Sequence, residues 1–227
     1  MTRQRPSSII LVHGFASNFE HGWRDGGWVD ILGDFGVEAP PIDLPGHGTR
    51  GGISEATDFD DVPESLFRSL PGSAPYSAVG FSIGAQQVLR MAIAHPESFD
   101  RIVLMGIGDS VFDSSSTDVI IDALEADEEP DEVPLRLFRR LAATTGSDVG
   151  SLVAFLKRPR PPITDEMLSR VTCPVLVIFG ERDAPPPDRL VAGLPDATLV
   201  TLPGVDHFST PQDFGAIDAT MGFFDLG

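Results

Sequence analysis

Ser82 is the side chain in this sequence best placed to do chemistry. It stands in Gly80-Phe81-Ser82-Ile83-Gly84, after a short apolar run at 76–79 and before a stretch of helical character at 85–94. A serine at a sharp strand-to-helix turn is lifted clear of the chain in a strained conformation, and small residues on both sides give that turn its room. The Ile83 N–H would then lie at a helix N-terminus, aimed at developing negative charge. A plainer alternative is a Ser-Gly helix entry with no chemistry. A serine hydroxyl attacks at neutral pH only if a base takes its proton, so Ser82 needs a histidine and a carboxylate to orient it.

Five histidines compete for the first role. His13 belongs to a turn at a strand end, His21 to a long loop, His47 to a Gly-His-Gly turn and His95 to a helix terminus, whereas His207 falls in the loop 203–208 directly after the last strand. Glu181, Asp183 and Asp206 compete for the second role. Asp206 adjoins His207, but neighbouring side chains on an extended segment point apart, so it reads as a residue that structures its loop. Arg182 would most simply pair with a nearby acid.

The bulk properties narrow the function class. With 227 residues, 41% of them hydrophobic, the chain suits one domain with a sizeable core. Its formal charge is −18, with Lys157 as the only lysine, so nucleic acid and anionic membrane surfaces would be repelled. After Arg3 and Arg5 the apolar run at 9–12 is too short for a signal peptide or a membrane span, which points to a cytoplasmic protein. No Cys/His cluster has metal-ligand spacing and no glycine-rich phosphate loop follows a strand, so neither metal nor cofactor is expected. The single cysteine, Cys173, opens an apolar run and reads as a small buried hydrophobe.

The elements that must position these groups alternate. Strands are expected at 8–12, 36–44, 76–79, 101–107, 175–179 and 198–202, and helices at 28–35, 59–70, 85–94 and 212–224. The order of landmarks resembles the α/β-hydrolase family over nearly the whole chain: His13-Gly14-Phe15 after the first strand, Asp43-Leu44-Pro45-Gly46-His47-Gly48 after the second, the Ser82 turn, then the late acid and histidine loops. The family usually places a two-strand unit before the strand that ends in His-Gly, and with only a handful of residues ahead of it here that unit is expected to be missing.

That resemblance implies an α/β fold with a mainly parallel, doubly wound sheet of about six strands. With the opening unit gone, the 36–44 strand becomes an edge, where Pro40 and Pro41 are tolerated. A crevice for ligand would lie between the first strand and the Ser82 strand, at the switch point of the sheet. The core would comprise 1–108 and 173–227, with 109–172 as a small helical lid. The first half of that lid, 109–134, holds ten acids and no Lys or Arg.

The resemblance also assigns roles. Ser82 would be the nucleophile, His207 the base and Asp183 the acid, with Glu181 still a rival, and the backbone N–H groups of Phe15 and Ile83 would form an oxyanion hole. Phe19, Trp23, Phe138 and Phe155 are the expected substrate-binding residues, and His21 shares the first loop. The expected activity is hydrolysis of a carboxylic ester, thioester or related acyl bond through an acyl-enzyme, on a small, neutral, partly apolar substrate. The alternatives are a C–C bond hydrolase or lyase on the same three residues, or a non-catalytic member of the fold that binds a small molecule.

Overall fold

The computed structural model describes residues 5–59, 61–113 and 117–227, so Arg3 lies outside the described residues. Five strands form one parallel sheet in the order of the chain: β1 (Ile9–Val12), β2 (Tyr76–Phe81), β3 (Phe99–Met105), β4 (Val175–Gly180) and β5 (Ala197–Leu202). The helices are α1 (Trp28–Asp34), α2 (Val62–Ser69) and α3 (Ile83–Ala94), then α4 (Asp118–Glu125), α5 (Val133–Thr145), α6 (Val149–Lys157) and α7 (Asp165–Leu168), and last α8 (Asp188–Gly193) and α9 (Phe214–Phe223). Among the described residues no helix is long and apolar enough to cross a membrane.

β1 and β4 are buried at every residue, because helices cover both faces of the sheet and the usual polar alternation has no water to face. Alternate side chains therefore feed two separate cores. Ile10, Val12, Ala78, Leu104 and Val177 pack under α2, α3 and α8, while Ile9, Leu11, Val79, Val103 and Ile178 pack against α1 and α9.

The sheet has five strands where six were expected. The 36–44 segment pairs with β1 through a single parallel bridge, Ser8 with Glu38, in which Ile9 N–H donates to Glu38 O at 2.8 Å and Glu38 N–H to Ser7 O at 3.0 Å. Pro40 and Pro41 follow at once and have no N–H to continue the ladder. The bridge lies on the side of β1 away from β2. The chain thus runs out from β1 to that edge and returns to β2, which keeps the expected switch point over the carboxyl ends of β1 and β2.

Between β3 and β4 the chain forms α4 to α7. Ile121, Leu124, Ala142, Leu152 and Phe155 carry their apolar faces into the core above α3. Asp109 accepts from the Arg189 and Leu190 N–H groups at 3.1 and 2.9 Å, the other acids of the first half are exposed, and cations of the second half meet two of them: Arg140 pairs with Glu129 at 2.8 Å and Lys157 with Glu125 at 3.9 Å.

Two of the expected substrate-binding residues are core residues instead. Phe155 is 0% exposed and sits edge-on to His47 and Phe59, with ring centroids 4.8 and 5.4 Å away. Phe19 is buried in the other core, beside Trp23 and Trp28, and lines no cavity at Ser82. Helical spacing marks a residue as inward-facing without telling packing from a pocket wall, and both rings face packing. Phe155→Ala should accordingly lower the unfolding free energy by about 3–5 kcal/mol, the usual cost of truncating a buried phenylalanine. Urea denaturation measures it, and a variant of unchanged stability with altered substrate affinity would return Phe155 to the pocket.

Candidate active site

Two glycines create the turn that presents Ser82. A Cβ on Gly84 would stand 2.3 Å from the Val12 carbonyl oxygen, and one on Gly80 would stand 2.5 Å from the Ala85 Cα. With hydrogens there, the first turn of α3 closes directly onto the ends of β1 and β2. Ser82 is left at φ 54°, ψ −121°, a conformation that a side chain adopts only under constraint. Its N–H donates to Met105 O at 2.8 Å, which fixes the turn to the end of β3.

Ser82, His207 and Asp183 stand in one hydrogen-bonded series. His207 Nε2 lies 3.0 Å from Ser82 Oγ, and His207 Nδ1 lies 2.7 Å from Asp183 Oδ2. The carboxylate can only accept at neutral pH, so the network assigns the proton to Nδ1 and leaves Nε2 as the acceptor for the serine hydroxyl. The Asp183 side chain is 10% exposed and that of His207 is 26% exposed. The other Asp183 oxygen accepts from Ala184 N–H at 2.8 Å, so both oxygens are engaged.

The rival acids have other partners. Glu181 accepts from Gly204 N–H at 2.7 Å and ties the acid loop to the histidine loop. Asp206 accepts from Ser209 N–H at 2.9 Å, and that bond holds its carboxyl below the usual carboxylate range. Arg182 forms no ion pair among the described residues, contrary to the expected pairing, and lines the cavity beside Asp183 instead. The prolines after Ala184 brace the acid loop against the end of β3. A Cβ on Gly108 would overlap Pro185 O, and Asp109 N–H donates to Pro186 O at 3.1 Å.

The Phe15 side of the site rests on a buried polar network. His13 Nε2 accepts from Leu44 N–H at 3.0 Å, so the proton is on Nδ1, which donates to Gly14 O at 2.8 Å. His13 is therefore neutral, and its 3.6 Å approach to Asp43 is not an ion pair. Burial alone would raise Asp43, but the N–H groups of Thr49 and Phe19, with the Thr49 hydroxyl, each at 2.8 Å, hold its carboxyl below the usual range. His47 donates from Nδ1 to Pro45 O at 3.1 Å, and its Nε2 is buried without a partner among the described residues. Neither the Phe15 N–H nor the Ile83 N–H donates to any acceptor among the described residues.

Two cavities meet over Ser82. One, of about 280 Å³, is lined by Phe15, Ser17, Trp23, Leu137, Phe138 and Leu141 among others. The second, of about 490 Å³, runs past Gly106, Ser110, Val133, Pro134, Arg182 and Asp183. Ser82, Leu137, Phe138, His207 and Phe208 border both. Trp23 lines the first of them, Phe138 lines both, and His21 reaches the first as well. Phe208 and Phe81 were not foreseen. Phe208 packs edge-on to Phe138 at 5.2 Å, and Phe81 packs between Gly14, Gly106 and the His207 ring. Their only signal in the sequence is adjacency to His207 and Ser82.

Comparison with known proteins follows the same lines. A model of the alpha/beta hydrolase family matches residues 9–217. A pimeloyl-(acyl-carrier protein) methyl ester esterase of Nitrosomonas europaea is 26% identical over 91% of this chain and 92% of its own length. One of the same description from Chromobacterium violaceum is 25% identical over 76% of this chain and 79% of its own. Among solved structures, a hydrolase from Pseudomonas aeruginosa superposes with a TM-score of 0.73 at 18% identity, covering 100% of this chain and 92% of that one. NosK from Streptomyces actuosus gives 0.70 at 19% identity, with 97% of each chain covered. At those identities the structural matches speak for the fold alone.

The buried histidines make stability depend on pH. Burial, reinforced by neighbouring His13, pushes His47 down to about 3, and burial also lowers His13 from the ordinary 6.5. In the unfolded chain both rings take up protons as pH falls through about 6.5, whereas the folded protein cannot follow until much lower pH. Stability should be complete above that value and decline as pH falls toward about 3. Urea midpoints measured from pH 7 to pH 4 should fall less steeply in His47→Gln, and parallel slopes would remove His47 as a cause.

Proposed function

This chain belongs to the alpha/beta hydrolase family, and from that premise we propose that it hydrolyses a carboxylic ester through an acyl-enzyme on Ser82. The unbroken series from Asp183 Oδ2 through His207 to Ser82 Oγ, with steps of 2.7 and 3.0 Å, carries the reading. Relatives described as methyl ester esterases favour an ester over a C–C bond.

In the proposed reaction Ser82 Oγ attacks the carbonyl carbon while His207 Nε2 takes the hydroxyl proton. Asp183 keeps the imidazole oriented and stabilises the imidazolium that forms. The carbonyl oxygen becomes an oxyanion that accepts from the Phe15 and Ile83 N–H groups, both without other acceptors among the described residues. Losing one such donor typically costs about 3 kcal/mol of transition-state stabilisation. Collapse breaks the ester C–O bond, and His207 returns the proton to the departing alcohol. A water, deprotonated by the same nitrogen, then releases the acid and restores Ser82.

The two cavities suit the two halves of an ester. The aromatic cavity beside Phe15, Trp23 and Phe138 would hold the acyl chain, and the one beside Ser110 and Arg182 would hold the alcohol. Residues 109–172 act in this reading as a lid over the core, with Leu137, Phe138 and Leu141 of α5 as its inner surface. Arg140 reaches the acyl cavity, but both its Nε and its Nη2 contact Glu129 Oε1, at 3.0 and 2.8 Å, so the wall carries no unbalanced cation there. A neutral, partly apolar ester is the substrate that fits.

Ser82→Ala should abolish both turnover of p-nitrophenyl esters and labelling by a fluorophosphonate, with the fold retained. Labelling that persisted in that variant would put the nucleophile elsewhere. Asp183→Asn should lower kcat by roughly 10⁴-fold, as when a triad aspartate loses control of its histidine tautomer. Asp206→Asn should change kcat by less than about tenfold, since its carboxylate serves Ser209 and not the His207 ring. The opposite ranking of the two asparagine variants would overturn the assignment of the acid.

A further inference from the structure

A further cavity of about 470 Å³ lies behind α3, walled by Arg90, Arg158, Arg160 and Arg170, with Asp61 as its one carboxylate among the described residues. Four of the chain's 16 cationic side chains thus converge on one concavity in a protein whose net charge is −18. None of the four forms an ion pair among the described residues, although Arg24, Arg68, Arg101, Arg140 and Arg189 all do. Among the described residues Asp61 alone faces the cluster, where its charge favours the Arg90 guanidinium.

Three of the four guanidinium groups are held in place by neutral acceptors. Arg90 donates to Pro161 O at 2.5 Å and Arg160 to Thr117 Oγ1 at 3.1 Å, while Arg158 donates to Phe155 O and lies over the Phe155 ring, 3.5 Å from its centroid. A guanidinium has five N–H donors in a planar fork, so each of these leaves most of its donors for a ligand. Arg158 is only 6% exposed. Burial first, then the charges of Arg160 and Arg90, bring it down to about 9. Like charges gathered out of water destabilise one another, and an anion among them would relieve that cost.

We propose that this cavity binds an organic phosphate, its phosphoryl oxygens held by the forks of Arg90, Arg158, Arg160 and Arg170 and its organic part resting on the apolar wall. Planar, bidentate donors match phosphate geometry better than any other side chain does. The cavity is larger than inorganic phosphate requires, and Phe59, Val62, Ile93 and Met167 supply an apolar surface beside the arginines. This site shares only Gln86 with the cavities at Ser82, and Gln86 stands one helical turn along α3 from the nucleophile. Binding here therefore does not depend on the hydrolytic reading.

Calorimetric titration with phenyl phosphate, inorganic phosphate and pyrophosphate tests the site, in wild type and in Ser82→Ala, against sodium chloride at matched ionic strength. All three probes should bind saturably at one per chain, phenyl phosphate tighter than inorganic phosphate, with no difference between wild type and Ser82→Ala. Arg160→Gln combined with Arg170→Gln should weaken binding at least tenfold. Both side chains are at least partly exposed, and a melting curve without ligand verifies that the variant folds. Heats no larger than those of sodium chloride, or affinities unchanged in the double variant, would overturn the proposal. Equal affinity for inorganic and phenyl phosphate would overturn its organic component.

Discussion

The contact on which the molecule depends is the closure of α3 onto the strand ends through Gly80 and Gly84. Val12 O would stand 2.3 Å from a Cβ at position 84, so no other residue lets the helix start where it does. Because the helix starts there, Ser82 must take a positive φ, its hydroxyl must stand above the sheet, and the Ile83 N–H must be left at the helix mouth. The same closure packs α3 against both β2 and β3, so a residue held at positive φ is also firmly surrounded.

A second constraint holds the facing side of the site. The turn after β1 cannot be rigid by itself, since Gly14 lacks a side chain to pack. A Cβ there would fall 2.9 Å from the Phe81 ring. Rigidity comes instead from His13, which spans from Gly14 O to Leu44 N–H, and from Asp43, which collects the N–H groups of Phe19 and Thr49. Two loops far apart in sequence are thereby locked to each other through neutral imidazole and a fully engaged carboxylate. The acid and histidine loops use the same device, with Glu181 receiving Gly204 N–H and Arg182 N–H reaching Val205 O. Four loops from different strands can hold three reacting side chains in register because backbone donors are satisfied across loops and not only within them.

What the sequence made legible is what depends on local steric demands. The glycines around Ser82, the strand-end loops and the apolar strand runs each force one local structure, and the parallel sheet, the turn and the order of the site loops follow. The single-bridge edge was half legible: Pro40 and Pro41 signalled an edge, but a residue that cannot donate also ends a ladder. Phe155 and Phe19 were misplaced because inward-facing spacing does not distinguish a pocket wall from packing. Trp23, Phe138 and Phe208 surround Ser82 through long-range contacts, of which only the first two left a local trace. The arginine cavity left none, since Arg90 and Arg158 are 68 positions apart in sequence and meet only because the insertion folds back over α3.

Charge is distributed by the same folding back. The insertion begins with ten acids and no cation in 109–134, yet all but Asp109, which receives the N–H groups that start α8, turn to solvent or meet the cations of α5 and α6. Exposed carboxylates of this kind are screened within roughly 8–10 Å at physiological salt, so their field fades before it reaches the buried end of a site. Of the four arginines behind α3, Arg158 is buried and Arg90 and Arg160 are half-buried, where screening is weaker, and none of them is ion-paired among the described residues. A chain with net charge −18 can therefore present a locally cationic concavity. Its sign is set by which side chains the fold buries, and the overall composition describes only the surface that remains.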